Sequence, residues 1–456
     1  MAKKQIDMTE GPILGRMILF TLPVLATGVL QLLFNASDLA VVGQFGGADS
    51  QIEVGAVGSC GALINLIVNL FMGLAVGAGV IAAQDIGAKR YEAVHKLADT
   101  ALTVSLIGGV AVGVFGFFAT EPLLRLMGTT KEILPSAVPY MKAYFTGMPG
   151  CLLYNYLAAI QRSGGDTKHP LLFLAISGVA NVGLNILMVA GFRLGALGVG
   201  IATSASQYIA AAILIFMLRE EGCCRVTGFA LDGERLKKMV LIGLPAGLQG
   251  TLFSLSNVII QSSINAYGTY VVAGNAAGSN LDGFLYIAMN SVYTAALTFV
   301  GQNVGAGKYA RIKKISFLCV GLVTFIGVSL GVVLVVFGEK LLLIFATGEN
   351  KDAVVKAGMN RLLVMGTTYF LCGLMDVGCG IMRGMGKTIL PMIVSLVGSC
   401  LFRIVWIATV CPLFPGNILA LYISYPISWF ITAAVHYGCC IHNYRALMRR
   451  SAVPAV

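Results

Sequence analysis

Residues 162–170, RSGGDTKHP, come back at 383–391 as RGMGKTILP. Arg162, Gly165, Thr167 and Pro170 reappear as Arg383, Gly386, Thr388 and Pro391, each 221 positions on. Two other matches keep the same order. Leu22-Pro23 recurs as Leu244-Pro245, and Gln84-Asp85-Ile86-Gly87-Ala88 recurs as Gln302-Asn303-Val304-Gly305-Ala306, at offsets of 222 and 218. A single match of this length arises by chance, but three in order at nearly one offset mark an internal duplication. The chain is therefore expected to consist of two related halves.

The composition says what kind of halves. Of the 456 residues, 57% are apolar and 11% charged, against about 25% charged in soluble domains. Mean hydropathy is +0.86. Twelve apolar stretches, each about as long as the roughly 20 residues that cross a bilayer as a helix, lie between charged or Gly/Pro-rich breaks. They fall at 14–38, 52–76, 94–118, 135–158, 168–190, 195–218, 236–260, 276–300, 315–337, 356–380, 388–411 and 417–441, and are numbered here as spans 1 to 12. The predicted fold is an all-α polytopic membrane protein, twelve transmembrane helices in two pseudo-symmetric six-helix bundles with a central cleft. An even number of spans per copy sends both halves into the membrane in the same sense. The long polar link Arg219–Lys238 is the natural boundary, giving an N-terminal lobe 1–222 and a C-terminal lobe 223–456.

Lysine and arginine set the orientation, because cytoplasmic segments hold the excess of both. With the N-terminus inside, 22 of the 31 fall in inner segments and 6 in outer loops; Lys142, Arg361 and Arg403 lie within spans. Both termini are expected in the cytoplasm. The net charge of +11 then reads as a topology signal and an attraction to anionic lipid, not as a nucleic-acid footprint. No secretory signal peptide is expected, since the apolar run from Ile13 past Phe34 is too long and no small-residue cleavage site ends it. Glycine pairs at four-residue spacing, Gly109/Gly113, Gly243/Gly247 and Gly327/Gly331, suit close helix packing, though 56 glycines also generate such pairs by chance. The eleven cysteines contain no CxxC, and none is read as part of a Cys/His metal cluster. They read as small core residues, with lipidation or redox chemistry as the alternative for the pairs Cys223-Cys224 and Cys439-Cys440 near inner helix ends.

The run Met8-Thr9-Glu10-Gly11-Pro12-Ile13, the span 1 sequence from Leu22-Pro23 to Asn35-Ala36-Ser37-Asp38 and Val42-Gly43, and the duplicated Gln-x-x-Gly-Ala loops resemble the multidrug and toxic compound extrusion (MATE) family of bacterial exporters. The resemblance covers essentially the whole chain. It implies a secondary transporter that exchanges sodium ions or protons for amphipathic organic cations, with no other cofactor and a monomer as the working unit.

An ionisable group inside a membrane costs about 2.5–3.5 kcal/mol on insertion scales, so each is a functional candidate. Asp38, at the outer end of span 1, matches the family's helix 1 acid, which implies a role in binding the coupling ion, with sodium as the metal it would ligate. A carboxylate can do this by ligating sodium among other oxygens or by taking up a proton. At a rise of about 1.5 Å per residue, Asn181 and Asn185 on the ascending span 5 and Thr203 and Ser204 on the descending span 6 come level with one another in the outer half. The family's archaeal-type set of Asp, Asn, Asp and Thr resembles Asp38, Asn181, Asn185 and Thr203, with an amide at 185 in place of the second acid. In the other lobe, Asp282 and Arg403 come to similar depth and are expected to pair, since an unpaired buried charge is costly. Asp376 lies about 15 Å lower by the same rise. A second branch of the family carries acids on helices 7 and 10, but span 7 here offers only Gln249, Ser254, Ser256, Asn257 and Gln261, and Asp376 stands about one turn from the matching place. Lys142 and Arg361, at the outer ends of spans 4 and 10, are expected to snorkel to the interface. Asn65, Asn69, Asn257 and Asn290 could line the cleft or bond between helices. Pro23 and Pro245 should bend spans 1 and 7.

The alternative transporter, a flippase of the same superfamily for lipid-linked oligosaccharides, would need a strongly cationic cavity, and away from their ends the spans hold only Lys142, Arg361 and Arg403 as basic residues. Enzymatic activity is not expected: His95, His169, His436 and His442 all lie at or near inner helix ends, no HExxH occurs, and the single GxSxG, Gly327–Gly331, lies inside apolar span 9 rather than at a strand-to-helix turn.

Overall fold

A computed structural model describes residues 6–47, 50–220, 222–345 and 351–452. Among these the chain is helical, with no strand. Helices α1 (Ile13–Phe45), α2 (Ser50–Gly87) and α3 (Tyr91–Leu126) are followed by two short ones, α4 (Leu134–Thr146) and α5 (Met148–Ser163). Next come α6 (Lys168–Ile186), α7 (Gly195–Glu220), α8 (Gly233–Asn265), α9 (Thr269–Gly305), α10 (Tyr309–Leu342) and α11 (Lys351–Gly384). The last are α12 (Ile389–Ser395), α13 (Phe402–Thr409), α14 (Ile418–Tyr422) and α15 (Ser424–Ala452). A π-helical turn, Leu187–Gly191, extends α6, and another, Leu396–Leu401, joins α12 to α13.

Eleven helical stretches among the described residues are long and apolar enough to cross a membrane. Span 4 is the exception, because it is broken into α4 and α5 at Gly147. Pro149 supplies no amide to the helix ladder, and the Gly147 amide turns to Tyr144 O at 3.0 Å. The carbonyl of Ala143, left without that amide, accepts instead from the hydroxyls of Thr146 and Ser204, each at 2.6 Å. Several helices outrun their predicted spans. With a rise of about 1.5 Å per residue, the 38-residue α2 is about 57 Å long, and a hydropathy window sees only the part that fits the bilayer.

The glycine pairs are contacts rather than accidents of composition. A Cβ on Gly109 would meet Pro149 Cα at 2.4 Å and one on Gly113 would meet Phe145 O at 2.8 Å. One on Gly327 would meet Phe370 Cα at 2.8 Å and one on Gly331 would meet Gly366 O at 2.0 Å. Gly327 and Gly331 are the repeat counterparts of Gly109 and Gly113, as Phe370 and Gly366 are of Pro149 and Phe145. The duplication thus repeats a helix contact pair for pair. The third pair, Gly243/Gly247 on α8, meets the α2 backbone at Leu74 Cα (2.6 Å) and Leu70 O (2.2 Å).

Packing divides the chain into two compact units, but not at residue 222. One unit holds Ala26–Gly247 with the residues up to Asp7, and the other holds Met8–Leu25 with Leu248 onward. The expected lobes follow the sequence repeat, whereas the first halves of α1 and α8 pack with the opposite copy. In the first unit, the core formed by Leu97, Leu102, Leu152, Tyr156 and Leu214 is joined by the link and the start of α8. Asp85 accepts from Arg90 at 2.7 Å and from Arg235 at 2.5 Å, and Asp99 accepts from the amides of Thr227 (2.7 Å) and Gly228 (3.1 Å). In the second unit, Asn303, the repeat partner of Asp85, donates to Met8 O at 3.0 Å, and Phe20 packs edge-on against Phe299. Each crossing comes shortly after its helix proline, Pro23 before Leu25 and Pro245 before Gly247.

Because Gly331 faces backbone that cannot turn aside, Gly331→Val should destabilise the protein by about 1–3 kcal/mol through overpacking. Gly283→Ala, where a Cβ meets nothing within 4 Å, should leave stability within about 0.5 kcal/mol of the parent. Thermal unfolding in detergent compares the two.

Candidate cation site and buried charges

Asp38 lies in the last third of α1, 8% exposed. Asn181 and Asn185 are one turn apart on α6, the second just before the π-helical turn, and both are buried. Thr203 is on α7. The structure brings all four together. Asn185 Nδ2 donates to Asp38 Oδ1 at 2.6 Å and to Asn181 Oδ1 at 3.2 Å. Thr203 donates to Asp38 Oδ2 at 3.4 Å and accepts from Asn181 Nδ2 at 3.5 Å. Ser204, level with Thr203 in sequence depth, faces the broken helix instead.

Two features of this cluster bear on its chemistry. The carboxylate has neutral donors only, although a buried anion is ordinarily paired with a cation. The carbonyl oxygen of Asn185 is buried without a hydrogen-bond partner, so an acceptor sits beside the carboxylate with nothing to accept from. Oxygens of carboxylate, amide and hydroxyl are the donor types that hard cations take.

Sequence depth did not reveal what steadies this site. Glu53 on α2 accepts from Ser136 Oγ at 2.9 Å and from the Ala196 amide at 2.5 Å. A carboxylate at a helix N-terminus answers both the free amides and the dipole, so Glu53 fixes the start of α7 about 10 Å along the axis from Thr203. Gly195, at φ +54, leaves room for it: a Cβ there would meet Glu53 Oε2 at 2.6 Å.

The C-terminal half resolves its charges differently from expectation. Asp282 on α9 pairs with Arg361 on α11, not with Arg403; both Nε and Nη2 of Arg361 lie 2.8 Å from Oδ2. Arg361 Nη1 also donates to Asn275 Oδ1 at 2.8 Å, which accepts from Tyr422 as well. Depth counting gives a height but not a direction around the helix axis, and the α11 residue is the one that faces Asp282. Nor does Arg361 snorkel: it is 8% exposed. Its counterpart Lys142 lies half-buried over the Phe117 ring, 5.1 Å from the centroid. Arg403 donates to Ser428 Oγ at 2.9 Å and stacks on Tyr425 and Trp429, its guanidinium carbon 4.2 and 5.5 Å from the ring centroids. Aromatic faces stabilise a desolvated cation by about 2 kcal/mol, which stands in for the missing carboxylate.

The model of the MatE family matches residues 23–187 and again 245–409, two copies that each begin at a repeated proline. The chain belongs to the MATE family, a family of transporters. Among curated relatives, the probable multidrug resistance protein YoeA of Bacillus subtilis is 26% identical over 92% of each chain. NorM of Thermotoga maritima, also a probable multidrug resistance protein, is 24% identical over 87% of this chain and 85% of its own. The FAD transporter of Shewanella oneidensis is 25% identical over 76% and 77%. The fold matches solved structures along its length. A MOP superfamily transporter from Pyrococcus furiosus gives a TM-score of 0.90 at 20% identity, over 98% of this chain and 99% of that one. A MATE protein in a bent conformation gives 0.90 at 19%, over 99% and 100%.

Within this MATE fold the other singled-out polar residues are dispersed. Asp376, half-buried on α11, is two turns before Arg383 on the same helical face. Arg383, read from sequence as an inner-segment charge, is instead buried, and donates to Tyr293 OH at 2.5 Å and Gln249 Oε1 at 2.8 Å. The repeat with Arg162 was the available signal that it is a fixed part of the fold. Asn65 and Asn257 are exposed, while Asn69 and Asn290 are half-buried.

Asp282→Asn and Arg361→Gln should each destabilise by about 3–5 kcal/mol, because each leaves the other charge buried alone. In unfolding measurements a double-mutant cycle on the two should show a coupling above about 1 kcal/mol, whereas Asp282→Asn with Arg403→Gln should be additive within about 0.5 kcal/mol.

Proposed function

We propose that the chain is a secondary antiporter that exports amphipathic organic cations in exchange for sodium ions or protons, and that Asp38, Asn181, Asn185 and Thr203 hold the coupling ion. The observation that carries this reading is a buried carboxylate with only neutral hydrogen-bond donors, next to the partnerless oxygen of Asn185. A sodium ion would take oxygens from Asp38, Asn185 and their neighbours. A proton would neutralise Asp38 and turn it from acceptor to donor. In either case the ion removes the one local charge, and the hydrogen bonds around it must rearrange. That gives the site two states for the transport cycle to use.

Support for drug substrates comes from relatives described as multidrug resistance proteins. The excess of Lys and Arg in one set of loops supports a bacterial inner-membrane location with both termini cytoplasmic. The proposed working unit is the monomer.

Reconstituted vesicles with a fluorescent organic cation, energised separately by a sodium gradient and a proton gradient, test the proposal. Export should follow one of them, and Asp38→Asn should reduce gradient-driven export by at least about tenfold while the variant still unfolds at a temperature near the parent's. Export indifferent to both gradients, or unchanged in Asp38→Asn, would reject it.

A further inference from the structure

The link after α7 carries two adjacent cysteines that have no part in the proposed antiport. Adjacent residues in an extended segment point to opposite sides, yet Cys223 Sγ and Cys224 Sγ lie 3.4 Å apart. The chain arranges this by turning at Gly222, whose φ of +136 is rarely adopted by other residues. Both sulfurs rest against Gly164 in the α5–α6 turn, where a Cβ would meet them at 3.0 and 3.2 Å. Cys224 Sγ is also 3.5 Å from Ile160 O. The turn is held on its far side, since the Val226 amide bonds Leu218 O at 3.0 Å and Asp99 takes the next two amides. The pair is therefore fixed as a pair, with Cys223 half-buried and Cys224 3% exposed.

Closing these sulfurs into a disulfide is geometrically unfavourable. Neighbouring Cα atoms are about 3.8 Å apart across a trans peptide, whereas disulfides want about 4.4–6.8 Å between Cα atoms and about 2.05 Å between sulfurs. A single larger atom that bonds both sulfurs avoids that constraint. We propose that Cys223 and Cys224 form a vicinal dithiol site that binds trivalent arsenicals. With an aryl arsenic oxide, two As–S bonds form and the bond from arsenic to its oxide oxygen is lost. The two thiol protons leave on that oxygen as water, and arsenic stays trivalent. Attack starts from the more accessible Cys223, because the bond to Cys223 and burial together hold the Cys224 thiol well above its ordinary value. The second sulfur then adds at high effective concentration, which makes the chelate resist monothiols.

The other adjacent pair provides the internal contrast. Cys439 and Cys440 lie within α15, where neighbouring side chains point about 100° apart, and Cys440 bonds Gly378 O across to α11.

The test is intact mass spectrometry of the purified full chain in detergent after exposure to phenylarsine oxide. One phenylarsenic per chain should add, survive excess 2-mercaptoethanol and leave with 2,3-dimercaptopropanol. Cys223→Ser and Cys224→Ser should each lower the monothiol-resistant adduct by about 100-fold, and Cys439→Ser/Cys440→Ser should keep it. Monothiol-resistant adduct persisting in both single variants, or lost only in the Cys439/Cys440 variant, would overturn the assignment. Matching size-exclusion profiles and unfolding temperatures ensure that a lost adduct reports the missing sulfur. Because the readout is binding, it stands or falls separately from the antiport proposal.

Discussion

A charge removed from water must be answered inside the protein, since hydrocarbon offers it nothing. That constraint orders this chain more than any other. Asp282 is answered by the fork of Arg361, which itself is held by Asn275. Arg403, with no acid beside it, is answered by a serine hydroxyl and two aromatic faces. Asp38 receives amide and hydroxyl donors and no cation. Three charges thus meet one requirement in three ways, and only the last leaves an anion for a mobile cation to cancel.

The same demand acts on the backbone. Helices satisfy their own amides and carbonyls, so the places where a helix is interrupted have to be repaired by neighbours. At Gly147 the repair is a pair of hydroxyls on Ala143 O, one of them sent from α7. Glycine then lets the intact helices close on one another, and the repetition of the Gly109/Gly113 contacts at Gly327/Gly331 shows that the duplicated unit is a packing arrangement as much as a sequence. Where packing departs from the sequence repeat is in α1 and α8, whose first parts, up to just beyond Pro23 and Pro245, pack with the opposite copy. Asp85 and Asn303, equivalent in the repeat, hold these exchanged segments by different means, an ion pair to Arg235 and a hydrogen bond donated to the Met8 carbonyl.

How much of this the sequence discloses depends on the dimension asked for. Hydropathy and the positive charges read distance along the membrane normal, and they placed the spans and brought Asp38, Asn181, Asn185 and Thr203 to one level. Direction around each helix is a second coordinate, and depth does not contain it. For the N-terminal cluster the family pattern supplied that coordinate. For Asp282 nothing does: Arg403 on α13 has a suitable height, but the residue that faces Asp282 is Arg361 on α11. The break at Gly147 was visible as Gly147 and Pro149 but was masked by the apolar average of span 4. The swap of α1 and α8 leaves no trace in a repeat comparison, because both copies change partners alike.

The substitution at 185 bears most directly on what the proposed site can hold. An acid there would put two carboxylates in one pocket, a charge that favours a divalent ion or requires one of the acids to stay protonated. With an amide the cluster carries a single negative charge, which one monovalent cation cancels. A divalent ion would leave a positive charge buried among Asn181, Asn185 and Thr203, at the same desolvation cost that governs the rest of the fold. The Asn185 side chain also contributes an oxygen that has no other use in the structure, so the exchange of acid for amide lowers the charge and still leaves one oxygen as a ligand atom. On the proposed reading, the site is matched to ions of unit charge, and the choice between sodium and a proton falls to how far the oxygens of Asp38, Asn181, Asn185 and Thr203 can close around a centre larger than hydrogen.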